Sequence, residues 1–263
     1  MDVSNDKAGP ARTPAPRAGG KRGYGIDEPR TILKLAAAGI LAVATGFIIS
    51  AYTATSNPAL AEVGLLAGPS VGFLILVLTA ALYWSSRLGK PREMAKVIES
   101  LPWGGGEVVL DLGCGRGMGA VLAAKKLDSG YGVGVDVWSK DRLTGNGPQS
   151  FLANATGEEV SSRLSPVKGS SVQLPIADST VDVIISGVAV HHMAPRKERE
   201  AIFSEIARVL KEGGRVGILD AGNGDEYSRL LEKTGLRDIQ FRKMRFSGFP
   251  PFHIVMARKP YRG

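Results

Sequence analysis

The residues Val109-Leu110-Asp111-Leu112 run into Gly113-Cys114-Gly115-Arg116-Gly117, and a helix-forming stretch, residues 120–127, follows. A β-branched apolar run that ends in an acid and then breaks on three alternate glycines reads as a strand, a tight turn and a helix. That layout belongs to open α/β sheets, in which a nucleotide-like ligand lies against bare backbone at the carboxyl end of a strand. Glycine is needed there because a Cβ would hold the ligand off and narrow the dihedrals open to the turn. The dinucleotide pattern GxGxxG fits only in part: Gly113 and Gly115 take its first two positions, Met118 falls on the third, and Gly119 comes one place late. Asp111 would repel a pyrophosphate, and it suits a ligand that carries an amino-acid ammonium.

Later segments extend the same sheet. Residues 131–136 form a second short strand ending in Asp136, about 19 residues past the glycine turn. A carboxylate in that place accepts hydrogen bonds from both ribose hydroxyls. Val137 and Trp138 follow and are placed against the adenine face. Residues 165–167 lead into Gly169-Ser170-Ser171, and residues 179–186 read as a fourth strand. A helix and the Gly213-Gly214 turn then enter a fifth strand ending in Asp220. Taken in order, residues 91–260 resemble the class I S-adenosylmethionine (SAM)-dependent methyltransferases of the methyltransferase type 11 kind, whose first motif is similar to the DLGCGRG at 111–117. The resemblance implies an α/β fold with a Rossmann-like, seven-stranded, mostly parallel sheet. It also implies a final antiparallel hairpin of about residues 239–246 and 253–257.

The same resemblance implies S-adenosyl-L-methionine as cofactor, lying across Asp111, Gly113, Cys114, Gly115, Gly117, Asp136, Val137, Trp138, Ser170 and Ser171. The family usually carries an aspartate where Ser170 stands, and a serine hydroxyl accepts the adenine amino group more weakly. In such a sheet the carboxyl end of the fourth strand faces the ligand crevice. His191 and His192 follow that end and are the candidate general bases, since imidazole titrates near working pH; the competing role is to brace the loop. Asp220 either faces the same crevice, or caps a helix or meets solvent. No metal is expected, because His253 lies in another segment and no carboxylate completes a ligand set. Residues 139–154, broken by Gly145-Asn146-Gly147-Pro148, resemble a segment of some small-molecule methyltransferases, and the resemblance implies a lid over the ligand.

Cys114 is the one cysteine of the chain. Its solitude rules out an intrachain disulfide, a cysteine zinc site and, among methyltransferases, arsenite methylation through several thiolates. Inside a glycine turn it reads as a small packing residue, not as a nucleophile.

Residues 1–30, rich in Pro, Gly, Ala and Arg, read as a disordered basic tail. From Leu35 to Ser86 the only charged side chain is Glu62. About 20 apolar residues cross a bilayer, so residues 31–87 read as two transmembrane helices, at about 35–54 and 63–84, joined by a short linker to residues 88–263 as the methyltransferase domain. Thr55-Ser56-Asn57-Pro58 is turn chemistry, Tyr52, Tyr83 and Trp84 suit the interfaces, and Gly39, Gly46, Gly64 and Gly72 allow close helix approach. A soluble core hairpin would show a polar face, and a signal peptide would be shorter and nearer the terminus, although Ala59-Leu60-Ala61 resembles a cleavage site. Arg17, Lys21, Arg22, Arg30 and Lys34 precede the first span, and Arg87, Lys90, Arg92 and Lys96 follow the second. The loop between the spans has no Lys or Arg. Both ends and the catalytic domain are therefore expected on the cytoplasmic side, where SAM is made.

The function these features imply is methyl transfer from SAM to a small, lipophilic acceptor by a protein whose partner is the membrane. The alternatives are methylation of a soluble metabolite or thiol with the anchor as an address, and a non-catalytic SAM-binding membrane protein. No nucleic-acid partner is expected: the balance of 33 basic to 25 acidic residues suits a solvated surface, and no Asn-Pro-Pro-aromatic motif follows the fourth strand. Arg237, Arg242, Lys243 and Arg245 surround the last strands, either as a solvated face or against lipid phosphates. The acceptor and the oligomeric state are not legible in the sequence.

Overall fold

A computed structural model describes residues 23–139, 143–193, 199–244 and 248–261. Residues 1–22 of the expected tail, 140–142 of the expected lid, Arg245 and the side chain of His192 lie outside the described residues.

Seven strands form one sheet: β1 Val108–Leu112, β2 Tyr131–Asp136, β3 Leu164–Lys168, β4 Val181–Gly187, β5 Leu210–Asp220, β6 Arg237–Met244 and β7 Phe252–Arg258. Their order is β3-β2-β1-β4-β5-β7-β6. The first five are parallel, and β7 lies antiparallel between β5 and β6. The expected mostly parallel sheet and its closing hairpin are therefore present. Parallel strands are covered on both faces, which is why the middle of β4, Val183-Ile184-Ile185, is apolar and buried at successive positions. Alternate residues go to opposite layers. Leu110, Ile184 and Ile218 pack with Ile202, Phe203 and Ile206 of helix α7 (Arg199–Val209). Val109, Val183, Ile185 and Leu219 pack with Met94, Val97 and Ile98 of helix α3 (Lys90–Ser100). Each fully buried Leu or Ile contributes about 1.5–3 kcal/mol of transfer free energy, so the two layers hold the strand ends rigidly. The outer strand β6 exposes Arg237, Arg242 and Lys243 along the sheet edge, where charge discourages pairing with another chain.

Two long helices precede this domain. Helix α1 (Pro29–Thr53) and helix α2 (Pro58–Trp84) each begin on a proline, whose fixed φ suits the first helical turn. They start earlier than the apolar windows at 35–54 and 63–84, because propensity continues the helix beyond the stretch that hydropathy marks. Both are long and apolar enough to cross a membrane. Their contact runs along glycines: a Cβ at Gly68 would stand 2.4 Å from Gly46 Cα, and one at Gly72 would stand 2.6 Å from Gly39 O. Only bare backbone fits that crossing.

Two features depart from the sequence reading. No loop joins the hairpin to the domain. Residues Ser85–Gly89 form one wide π turn, in which the Lys90 N–H donates to Ser85 O, and α3 continues directly from it. Residues 23–28, read from composition as the end of a tail, instead form a strap across the domain. The Gly23 N–H donates to Asn154 Oδ1 (3.3 Å), the Ile26 N–H donates to Thr144 Oγ1 (2.8 Å), and Asp27 pairs with Leu143 as an antiparallel bridge. Pro- and Gly-rich composition signals a weak local core, but here the core is supplied by partners more than a hundred residues away.

Candidate active site

The glycine turn is tied to the neighbouring strand. The N–H groups of Gly113 and Cys114 donate to Val135 O at 2.8 and 3.2 Å. Gly113 and Gly115 have φ of +70° and +53°, a region that side-chain-bearing residues avoid. A Cβ on Gly115 would meet Leu143 Cδ2 at 2.9 Å, and one on Gly119 would stand 2.9 Å from an Asp111 carboxylate oxygen. A cavity opens above this turn, at the carboxyl ends of β1, β2 and β4, where the strand order reverses.

Most of the residues expected around a cofactor meet on its wall: Asp111, Gly113, Cys114 and Gly115 from the turn, Asp136 and Val137 from the end of β2, and Ser170 and Ser171 after β3. Asp136 Oδ2 accepts the Gly115 N–H (2.8 Å) and Oδ1 accepts the Trp138 N–H. A carboxylate oxygen accepts two hydrogen bonds, so each keeps capacity for one ribose hydroxyl. Asn146 Oδ1, from the segment expected to be a lid, is buried beside the same wall and has no partner among the described residues, an acceptor open to a ligand donor. The two glycine approaches, the acid at the end of β2 and this orphaned acceptor fit an adenosyl amino acid.

Asp111 is 2% exposed and accepts the Ala120 N–H at 2.7 Å. Burial pushes its carboxyl up to about 7; the Ala120 N–H opposes this, Asp136 adds to it and Lys90 opposes it. Near neutral pH it is poised between its two states, and an approaching cation would ionise it. Cys114 is buried, and burial raises its thiol well above the ordinary range, with Asp111 and Asp136 adding to the effect. It packs against Phe151 and beside Gly134, which matches a packing role.

Two expected wall residues stand elsewhere. Gly117 is the N-cap of helix α4 (Met118–Ala124) with φ of +82°, and a Cβ there would strike the Phe151 ring at 2.7 Å. Its glycine serves helix entry and packing, not ligand contact. Trp138 does not line the cavity either. Its indole N–H donates to Gly115 O at 3.1 Å, which braces the glycine turn from outside.

Gly187 at the end of β4 and then Val188 and Ala189 line the cavity, and His191 follows, off its wall, in the short helix α6 (Val190–Met193). His191 Nδ1 hydrogen-bonds Asp220 Oδ1, and the His191 backbone N–H donates to Asp220 Oδ2 at 3.0 Å. Asp220 is 1% exposed and also accepts the Tyr227 hydroxyl (3.0 Å) and the Ala221 N–H (2.7 Å). A carboxylate at Nδ1 places the ring proton there and the basic lone pair on Nε2. Asp220 itself is buried and does not line the cavity: it orients the His191 ring and takes an N–H from the first turn of α6, the capping role open to it in the sequence.

Among the wall residues that sequence reasoning did not assign to the site are Tyr24, Asp27 and Lys90, which come from outside the motif segments. Tyr24 is half-buried, and the loss of water around it pushes its hydroxyl up to about 12, with Glu158 adding to the shift. It is the one aromatic side chain of residues 1–30, the signal that could have marked this segment as ordered.

Residues 110–218 match a family model described as a methyltransferase domain. The chain is 39% identical over 116 residues to an arsenite methyltransferase of Halobacterium salinarum, which covers 44% of this chain and 27% of that protein. It is 30% identical over 131 residues to the chloroplastic 2-phytyl-1,4-beta-naphthoquinone methyltransferase of Arabidopsis thaliana, 48% of each. The chain thus spans less than half the length of these relatives. Among solved structures, the [4+2]-cyclase SpnF superposes with a TM-score of 0.54 at 18% identity over 65% of this chain and 82% of that one. Geranyl diphosphate C-methyltransferase from Streptomyces coelicolor, in complex with S-adenosyl-L-homocysteine, superposes with a TM-score of 0.53 at 14% identity over 64% and 78%. At such identities the superpositions show the fold alone. The domain match, the motif residues gathered on one cavity wall and the seven-stranded sheet together support a class I, S-adenosylmethionine-dependent methyltransferase domain built around residues 110–218.

Proposed function

We propose that this chain is a membrane-anchored methyltransferase that moves the methyl group of SAM to a small, lipophilic acceptor. The observation that carries the reading is the make-up of one cavity. Its floor is the glycine turn and the ends of β1, β2 and β4, and its rim is the strap and Lys90, the first residue of α3 just past the foot of the apolar hairpin. In this reading α1 and α2 cross the bilayer with both ends on the cytoplasmic side. Arg30 and Lys34 in the first two turns of α1 and Arg87, Lys90, Arg92 and Lys96 after α2 favour that orientation. The helical continuity of α2 with α3 holds the cavity at a fixed distance from the membrane surface, which suits an acceptor that partitions into lipid. The Arabidopsis relative is named for a naphthoquinone bearing a phytyl chain, an acceptor of this class. Arsenite is not proposed, because Cys114 is the only thiol and is buried.

When bound, SAM supplies a methyl group already activated on a sulfonium, so the protein has to hold and orient the reactants. Asp136 holds the ribose hydroxyls, Val137, Ser170 and Ser171 bound the adenine, and Asp111 faces the amino-acid ammonium. His191, with Nδ1–H fixed by Asp220, accepts the proton of the attacking nucleophile at Nε2. Tyr227 and the Ala221 N–H hold Asp220 in place. A base positioned in this way contributes about 10²–10⁴ in rate.

The test uses the full chain in lipid nanodiscs with methyl-labelled SAM, offered separately a total lipid extract and an aqueous metabolite fraction. Label appearing in the organic phase, and lost with His191→Ala, supports the reading. Label confined to the aqueous fraction would overturn the lipophilic acceptor, and SAM binding with no transfer to either would overturn the enzyme.

A further inference from the structure

Lys90 is the first residue of α3 and is 5% exposed, yet its side chain lines the cavity. Its ammonium stands 2.7 Å from both carboxylate oxygens of Asp27. Asp27 is fixed in turn by Ser86 of the π turn: its N–H donates to Ser86 Oγ (2.8 Å), and the Ser86 hydroxyl donates to Asp27 Oδ2 (3.1 Å). A lysine is rarely buried unless paired, and here the pairing group comes from the strap. The charge of Lys90 also reaches Asp111, where it opposes the effect of burial on that carboxyl. The wall thus carries a cation close to Asp111 at the end of β1. The other cation on the wall, Arg116, donates to Thr144 O (3.1 Å) in the lid segment.

A free amino-acid group presents an ammonium and a carboxylate on one carbon. Asp111 is complementary to the ammonium only, and an unpaired carboxylate taken out of water costs several kcal/mol. The ammonium of Lys90 has three N–H donors, enough to serve Asp27 and a second carboxylate together. We propose that Lys90 binds the α-carboxylate of the ligand whose ammonium Asp111 faces, and that Asp27 and Ser86 are its positioning residues. The inference rests on the cofactor reading above. Its consequence is that the strap before the first apolar helix and the foot of the second belong to the cofactor site, so the hairpin is more than an address.

The experiment measures binding of two probes to the full chain in detergent micelles. S-adenosylhomocysteine carries the amino-acid group, and 5′-methylthioadenosine has the same nucleoside and thioether without it. Lys90→Met is expected to weaken S-adenosylhomocysteine at least tenfold and 5′-methylthioadenosine less than twofold, whereas Lys90→Arg retains most of the affinity. Asp27→Asn is expected to weaken the first probe severalfold and spare the second. Equal effects of Lys90→Met on both probes would overturn the assignment. If that variant does not fold, the wild-type chain still decides: the α-carboxamide of S-adenosylhomocysteine should bind at least tenfold more weakly than the acid, and equal affinities would overturn the proposal. A folded wild-type chain that binds neither probe refutes the cofactor reading itself, a different outcome from binding that ignores Lys90.

Discussion

Asp111→Asn should make the protein more stable and a poorer binder, and the pH at which each effect appears follows from the structure. Burial raises the Asp111 carboxyl from 3.8 to about 7 in the folded chain, a gap of about 3 units. At 1.36 kcal/mol per unit, ionising it costs the fold up to about 4 kcal/mol. Below about pH 4 the group is protonated in both states and contributes nothing. Between about pH 4 and 7 the unfolded chain loses the proton first, so the folded state holds more protons and stability falls as pH rises. Above about pH 7 both states are ionised and the full cost remains. Asparagine keeps an oxygen for the Ala120 N–H, now 2.7 Å from Asp111 Oδ2, and cannot ionise. The ligand-free variant should therefore match the wild type near pH 4 and exceed it by about 2–4 kcal/mol at pH 8, roughly 4 °C or more in Tm for a domain of this size. Thermal or urea unfolding in micelles at the two pH values measures this. Calorimetry of SAM binding at pH 7 in buffers of different ionisation enthalpy should show proton release by the wild type, because a cation favours the ionised carboxyl, and none by the variant. Parallel stability profiles for the two proteins would refute the buried, uptitrated carboxyl.

His191→Ala and Asp220→Asn should each lower kcat by about 10²–10⁴ while SAM affinity changes less than threefold, measured by turnover and titration on the same samples; a large loss of affinity instead would mark His191 as a structural brace. Gly117→Ala should destabilise by about 1–3 kcal/mol, since its Cβ strikes Phe151 at 2.7 Å from a φ of +82°. Phe151→Leu should recover part of that loss in the double variant, read by denaturant unfolding. Residues 88–263 alone lack Tyr24, Asp27 and Ser86 and should bind S-adenosylhomocysteine at least severalfold more weakly than the full chain, with equal affinity contradicting the role of the strap.

The sheet and the glycine turn were legible because their signals are local. An apolar run closed by Asp111 and broken by glycines specifies strand, turn and helix within a dozen residues, and the acid ending β2 repeats the logic. The hairpin was legible for the same reason, as a long stretch with Glu62 as its sole charge. What escaped depends on contacts remote in the chain. The strap is held by Asn154 and Thr144, separated from it by 131 and 118 residues, and its own composition argues for a tail. The π turn at Ser85–Gly89 has no marker in residue type, so the junction read as a linker when it is continuous helix. Gly117 and Trp138 sit in the right motif positions, but tertiary packing turns them to Phe151 and Gly115 O. Asp220 was ambiguous as a strand-end acid, and only the convergence of donors from His191, Ala221 and Tyr227 fixes its role. Sequence boundaries would have cut the molecule between Arg87 and Leu88, through the junction that carries Ser86 and Lys90.

The central claim, a SAM site built on the ends of β1 and β2, is tested most directly by titrating SAM into the full chain in nanodiscs, beside Asp136→Ala. Binding by the wild type that the substitution weakens by about 1–3 kcal/mol, the usual cost of losing hydrogen bonds to a charged group, is the predicted result. A folded wild-type chain that binds no SAM, or binds it equally well without the Asp136 carboxylate, would contradict the account.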